Sequence, residues 1–177
     1  MKNLLIILFL TAVLTQSCSS DKPEDYFAKT TLNVNKYSNM GSADFQQIIE
    51  IQSVNAMYAE VDGEFVPTNS YEAHVKTLKV YEIEKDIEKI KNLRATEDTK
   101  EMINASLEVF NFVKSKYETD YVKIAKLMDD KVDQNKTDLA IRDFENQNLQ
   151  ELNEKINALH DIAIPYAKNN GMDVKSY

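Results

Sequence analysis

The chain has 177 residues, a formal net charge of −8 and 28% charged residues. That acidity repels polyanions, no basic stripe offsets it, and nucleic-acid binding is excluded as an expected role. Three glycines, three prolines and no tryptophan argue against a loop-rich or all-β fold and for long solvated helices.

Lys2 opens the chain, and Leu4 to Leu14 form an almost unbroken apolar run of 11 residues. A bilayer needs roughly 20 helical residues, so a run this short fits the apolar part of a secretory signal. Small and polar residues then lead into Ser17-Cys18-Ser19-Ser20. Cys18 is the only cysteine and has no internal disulfide partner. A lone exposed thiol in an oxidising compartment is a liability.

Leu14-Thr15-Gln16-Ser17-Cys18 resembles the lipobox of bacterial lipoproteins. The family has an aliphatic residue where Thr15 stands and a small one where Gln16 stands, and Ser17 fits its pattern. The resemblance implies that diacylglycerol is attached to the Cys18 thiol, that residues 1–17 are removed as a signal peptide, and that a fatty acid such as palmitate caps the new amine. Each buried CH₂ contributes about 0.8 kcal/mol, and stable anchoring takes more than one chain. The other readings are an ordinary signal peptide with an incidental cysteine and an uncleaved anchor. Ser19 stands where aspartate would mark inner-membrane retention, which resembles an outer-membrane destination. Asp21, Glu24 and Asp25 look like the acidic export tag of surface-displayed lipoproteins, and equally like a solvated acidic tether.

Residues 18–41 read as the lipidated cysteine and a flexible tether, ending in the breaker cluster Ser38-Asn39-Met40-Gly41. Residues 42–177 read as a helical bundle. The first helix starts at Ser42 and carries Phe45, Ile48, Ile49, Val54, Met57, Tyr58 and Val61 at helical spacing, with Asp62-Gly63 as its end. The second starts at Asn69, with Glu72 as a capping-box partner, and gives out around Leu93 to Ala95. The third starts at Thr96 and steps through Ile103, Leu107, Phe110, Val113, Tyr117, Tyr121, Ile124 and Met128. The turn falls in Asp129 to Lys136. The fourth starts at Thr137, runs through Leu149, Leu152, Ile156, Leu159, Ala163 and Tyr166, and meets a kink at Pro165. Short loops between long amphipathic helices predict an all-α, up-down-up-down four-helix bundle.

Candidate chemistry is sparse. His74 and His160 are the only histidines, and Tyr71 and Asn157 occupy the places where a Glu-x-x-His metal motif needs glutamate. Asp129, Asp130, Asp133 and Asn135 lack the alternation and the glycine of a calcium loop, so a solvated acidic turn is expected. Asn148 is expected at the wet edge of its helix, the other reading being a buried polar residue that fixes register in the bundle. Phe110, Phe112, Tyr117 and Tyr121 read as core, with a groove for an apolar ligand as the other reading. No phosphate loop or nucleophile elbow is present, so no enzyme activity, cofactor or catalytic residue is expected.

Asp44-Phe45 with Gln52, the stretch Leu107-Glu108-Val109-Phe110-Asn111-Phe112 leading to Tyr117, and the ending Ala167-Lys168-Asn169-Asn170-Gly171 resemble a family of small helical surface lipoproteins of unknown function, known from spirochaetes and Bacteroidetes. The expected role is a lipid-anchored outer-membrane or surface interaction module. Its partners would be the membrane, through lipid on Cys18, and an envelope or external protein. The runner-up is a periplasm-facing carrier of a small apolar ligand or metal between the helices.

Overall fold

The computed structural model describes residues 21–174. The segment read as a signal, residues 1–17, and Cys18 lie outside the described residues. The fold is all-α in its bulk, with one small antiparallel sheet. In chain order the elements are α1 (Pro23–Thr31), α2 (Val34–Tyr37), α3 (Ser42–Ser53), β1 (Tyr58–Val61), β2 (Glu64–Pro67), α4 (71–91), α5 (100–129) and α6 (Gln134–Asn169). Within α4 the stretch His74–Lys79 is π-helical, and within α5 so is Tyr117–Tyr121. α5 packs against both α4 and α6, and α1 lies across all three.

The flexible tether expected up to residue 41 is corrected from Pro23 onward. Pro23 occupies the first turn of α1, where its missing N–H costs no bond. Tyr26, Thr30, Val34 and Tyr37 recur at steps of four, four and three, and all are buried. Tyr26 Oη donates to the Arg94 carbonyl at 2.7 Å, and Ser106 Oγ donates to the Thr30 carbonyl at 2.9 Å. The segment is therefore sewn into the domain at both ends of α1. Leu32 and Asn33 form a turn of right-handed helical backbone between α1 and α2, with Leu32 facing solvent.

The helix expected over 42–61 is also corrected. It stops at Ser53, because Asn55 takes a left-handed φ of 55° and the Ala56 N–H bonds back to Ile51 O at 3.0 Å. The rest is a hairpin. Asp62 and Gly63, with φ of 52° and 86°, make the primed turn that right-twisted strands require, and Val61 pairs with Glu64 across it. Val54, Met57, Tyr58 and Val61 fit a helical spacing as well as they fit the strand, and Asp62-Gly63 decides for the strand.

Gly41 is the N-cap of α3, and its φ of 100° suits glycine. Its first amides go to side chains: Gly41 N–H to Tyr121 Oη and Ser42 N–H to Glu145 Oε1, at 2.5 and 2.6 Å. A carboxylate there also complements the helix dipole. α4 is capped from within by Ser70 Oγ, which accepts from Ala73 N at 3.1 Å. It is capped from α5 by Asp129, which accepts from Ser70 Oγ, Tyr71 N and Glu72 N at 2.6, 2.8 and 2.9 Å. α6 starts at Gln134, three residues before the expected Thr137, because the Asp133 side chain accepts from Asn135 N at 3.0 Å. Pro165 lies inside α6, which continues past it to Asn169.

The core fills the space between α3, α4, α5 and α6. Phe45 stacks on Tyr121 with centroids 4.4 Å apart, and Tyr121 meets Phe144 edge-on at 5.1 Å. Tyr37 meets Phe110 edge-on at 5.5 Å. Geometry of this kind adds about 0.5–1.5 kcal/mol per pair beyond area burial.

Candidate functional site

The two π-helical turns face each other across the core. A π turn widens the helix by one residue and often marks a functional position. Between these two lies a buried polar cluster. Asp44 of α3 accepts from Tyr117 Oη at 2.7 Å and from Lys79 Nζ at 3.1 Å. Burial and the Asp44 carboxylate push the Tyr117 and Tyr121 phenols well above their usual range. Burial and Asp86, which accepts from Tyr37 Oη at 3.2 Å, do the same to Tyr37. Lys89 pairs with the other Asp86 oxygen at 3.0 Å. Phenols held this firmly in the neutral state are hydrogen-bond donors, so the cluster fixes α3 against α4 and α5.

Above this cluster the hairpin rests on the π turn of α4. His74 Nδ1 donates to the Tyr58 carbonyl at 2.7 Å, and the Glu60 N–H donates to Thr77 Oγ1 at 2.8 Å. Tyr58 and Glu60 belong to the non-hydrogen-bonded pairs of the hairpin, so their main-chain groups face out of the ladder, and α4 satisfies the Tyr58 carbonyl and the Glu60 N–H. His74 is buried, and its Nε2 has no hydrogen-bond partner. Burial lowers the His74 pKa, and nearby Lys79 lowers it further against opposite pulls from the Tyr58 carbonyl, Glu82 and Asp44. The ring is therefore neutral, with its hydrogen on Nδ1.

Apolar side chains are exposed on both faces of the hairpin, Tyr58 and Phe65 on one and Val61 and Val66 on the other, and at Val54 on the end of α3. Val54 is 70%, Phe65 55% and Val61 49% exposed, and Tyr58 and Val66 are partly so. Phe65 leans edge-on against Tyr81 at 5.8 Å. Pro67 removes a donor from the free edge of β2, which limits uncontrolled strand pairing. Glu60, Asp62 and Glu64 surround the apolar residues, and residues 54–70 contain no lysine or arginine. None of these three carboxylates belongs to an ion pair among the described residues.

The residues singled out from the sequence fall as follows. His74 and His160 are not brought together: α6 starts beside the head of α4 and carries His160 about 39 Å further down its axis at 1.5 Å per residue. Among the described residues no three His, Cys, Asp or Glu side chains gather to hold a metal ion, and no helix is long and apolar enough to cross a membrane. Asp129 and Asp133 act as helix caps, and Asp130, Asp133 and Asn135 are exposed in and beside the turn, as expected. Asn148 is buried, a correction to its expected wet edge, and its Nδ2 donates to the Phe144 carbonyl at 2.8 Å. Phe110, Tyr117 and Tyr121 are core, while Phe112 lies half-buried under Lys116 and Lys155. Sequence reasoning missed the hairpin and its attachment to His74, for which Asp62-Gly63 was the available signal. No protein-family model, curated protein or solved structure matches the chain, so its own residues carry the functional reading.

Proposed function

We propose that the chain is a lipoprotein of the outer membrane, anchored by lipid on Cys18, whose helical domain is an interaction module and not an enzyme. The observation that carries the interaction reading is the hairpin, which exposes Val61 and Phe65 while its backbone is pinned to α4 by His74 and Thr77. Large apolar side chains left exposed on a braced element suit a contact site. The anchoring reading is supported by the Leu4–Leu14 run and the single cysteine that follows it. α1 begins at Pro23, so only Ser19 to Lys22 separate it from Cys18. Four residues reach at most about 14 Å.

The start of α1 lies beside Arg94 and Tyr166, at the end of the domain where α4 and α6 finish. The hairpin sits on the other half, beside the first turns of α4. In this reading α1, α2 and α3 form a broken first column of an up-down bundle, and the hairpin is carried away from the membrane.

Growth with an alkyne analogue of palmitate tests the anchor. Label should enter the intact protein and vanish in Cys18→Ala; an unlabelled wild-type chain would refute lipidation. Protease treatment of unlysed cells then separates the two faces of the membrane: release of peptides from 42–177 puts the domain outside, and full protection puts it in the periplasm.

A further inference from the structure

We infer that His74 is an acid-sensitive latch: a proton taken up by its buried ring frees the hairpin from α4 and leaves the helices folded. This adds a regulation to the interaction reading above, and only the use of the latch rests on that reading. The geometry carries it. The ring lies between β1 and the π turn of α4, 4% exposed, with Nδ1 held on the Tyr58 carbonyl at 2.7 Å. Its Nε2 is buried and meets no acceptor. A proton arriving there makes a second N–H with no partner and brings a full charge into the interior.

No counter-charge is free to receive it. On α4 itself Lys79 opposes the charge, and Glu82 is paired with Lys36 at 2.8 Å. Asp44 of α3 is taken by Lys79 Nζ at 3.1 Å and by Tyr117 Oη at 2.7 Å. The π turn of α5 offers the phenols of Tyr117 and Tyr121, both held neutral. On the hairpin Tyr58 is partly exposed, and the Glu60 carboxylate accepts from Gly63 N in the turn. The charged ring is relieved by leaving for water, and the Tyr58 carbonyl loses its donor when it goes.

The hairpin is the element that gives. Two strands alone are marginal in water, and Ala59 is the one buried side chain of either strand. Beyond His74, the Glu60 N–H on Thr77 Oγ1 at 2.8 Å is the other tie to α4 described above. The helices instead hold one another through residues such as Ile83, Phe110, Val113 and Leu159. A freed ring titrates near 6.5, and the seated ring is lowered from that value by burial. The latch is therefore shut above about 6.5, and opening grows by up to tenfold per pH unit below it.

The test is amide hydrogen exchange on the full chain purified from its own cells, between about pH 7 and 5, above the range in which ordinary carboxylates take up protons. Rates are divided by those of the unstructured peptide at each pH. Protection of the Glu60 amide should fall roughly tenfold or more over this span, while Ile83, Val113 and Leu159 keep theirs. His74→Asn keeps a donor for the Tyr58 carbonyl and takes up no proton, so its hairpin protection should stay constant. Flat protection in the wild type overturns the inference, as does an equal fall in His74→Asn or a fall shared by the helices. Should that variant not fold, the wild-type ring resonances decide. His74 must then titrate in step with the loss at Glu60, and a ring that charges while the hairpin stays protected overturns the latch. No partner enters the measurement, so its failure is distinct from failure of the interaction reading.

Discussion

Tyr117 Oη lies 2.7 Å from Asp44 Oδ2 in the core, and Lys79 holds the other oxygen of the same carboxylate at 3.1 Å. Both partners of Asp44 lie on π-helical turns, one in α4 and one in α5. Removing the carboxylate leaves an ammonium and a phenol without acceptors. Asp44→Ala should therefore destabilise the domain by about 3–5 kcal/mol. Tyr117→Phe keeps the Lys79 pair and should cost about 1–3 kcal/mol. Urea unfolding followed by circular dichroism checks both, and an Asp44 variant no weaker than the Tyr117 variant would contradict this ordering.

The buried phenols predict how the fold responds to alkali. Tyr37, Tyr117 and Tyr121 have folded-state pKa values raised above the ordinary value of about 10. In the unfolded chain they ionise near that value. Stability is fully present below it and is lost as pH climbs beyond it. Phenolate absorbance for these three should rise only together with loss of helical dichroism. Gradual ionisation of all nine tyrosines with the helices intact would count against the buried positions.

His74 works in the opposite direction. Its folded pKa is lowered by burial, and protonation would place a second hydrogen on Nε2, which has no acceptor. The unfolded ring takes up its proton as pH falls through about 6.5. The stability contributed by the neutral ring is thus complete above that pH and erodes below it, by up to about 1.4 kcal/mol per pH unit. Wild type should lose more stability than His74→Gln between neutral and mildly acidic buffer. Parallel losses in the two proteins would show that the ring carries no such linkage.

Asp129 receives two backbone amides and a hydroxyl at the head of α4. Asp129→Ala should cost about 1–2 kcal/mol, the upper part of the range for helix caps. Amide hydrogen exchange should quicken at Tyr71 and Glu72 while Ile83 to Ile90 stay protected. Uniform acceleration along α4 would mean that the cap acts on global stability alone.

The long helices were legible because their stripes are strong. Ile83, Ile87 and Ile90 in α4, and Leu152, Ile156, Leu159 and Ala163 in α6, all reach the core. α1 and α2 were hidden because a stripe of Tyr26, Thr30, Val34 and Tyr37 includes a threonine and is set among acids and lysines that also suit a tether. The π turns left a fainter trace. Buried positions run Val75 to Ile83, and Val113 to Tyr117 to Tyr121, each spanning eight residues. Eight residues of regular α-helix overshoot two turns by about 80°, and a widened turn brings the stripe back into line. The attachment of His74 to Tyr58 had no local signal, since it joins residues 16 apart through a hairpin.

The cap at the head of α4 ties distant parts of the chain together. The amides of Tyr71 and Glu72 find their acceptor 58 and 57 residues further along the chain. The end of α5 thus completes the first turn of α4, and the turn that follows carries the hairpin through His74 and Thr77. A change at Asp129 would reach the hairpin through these two links without touching it.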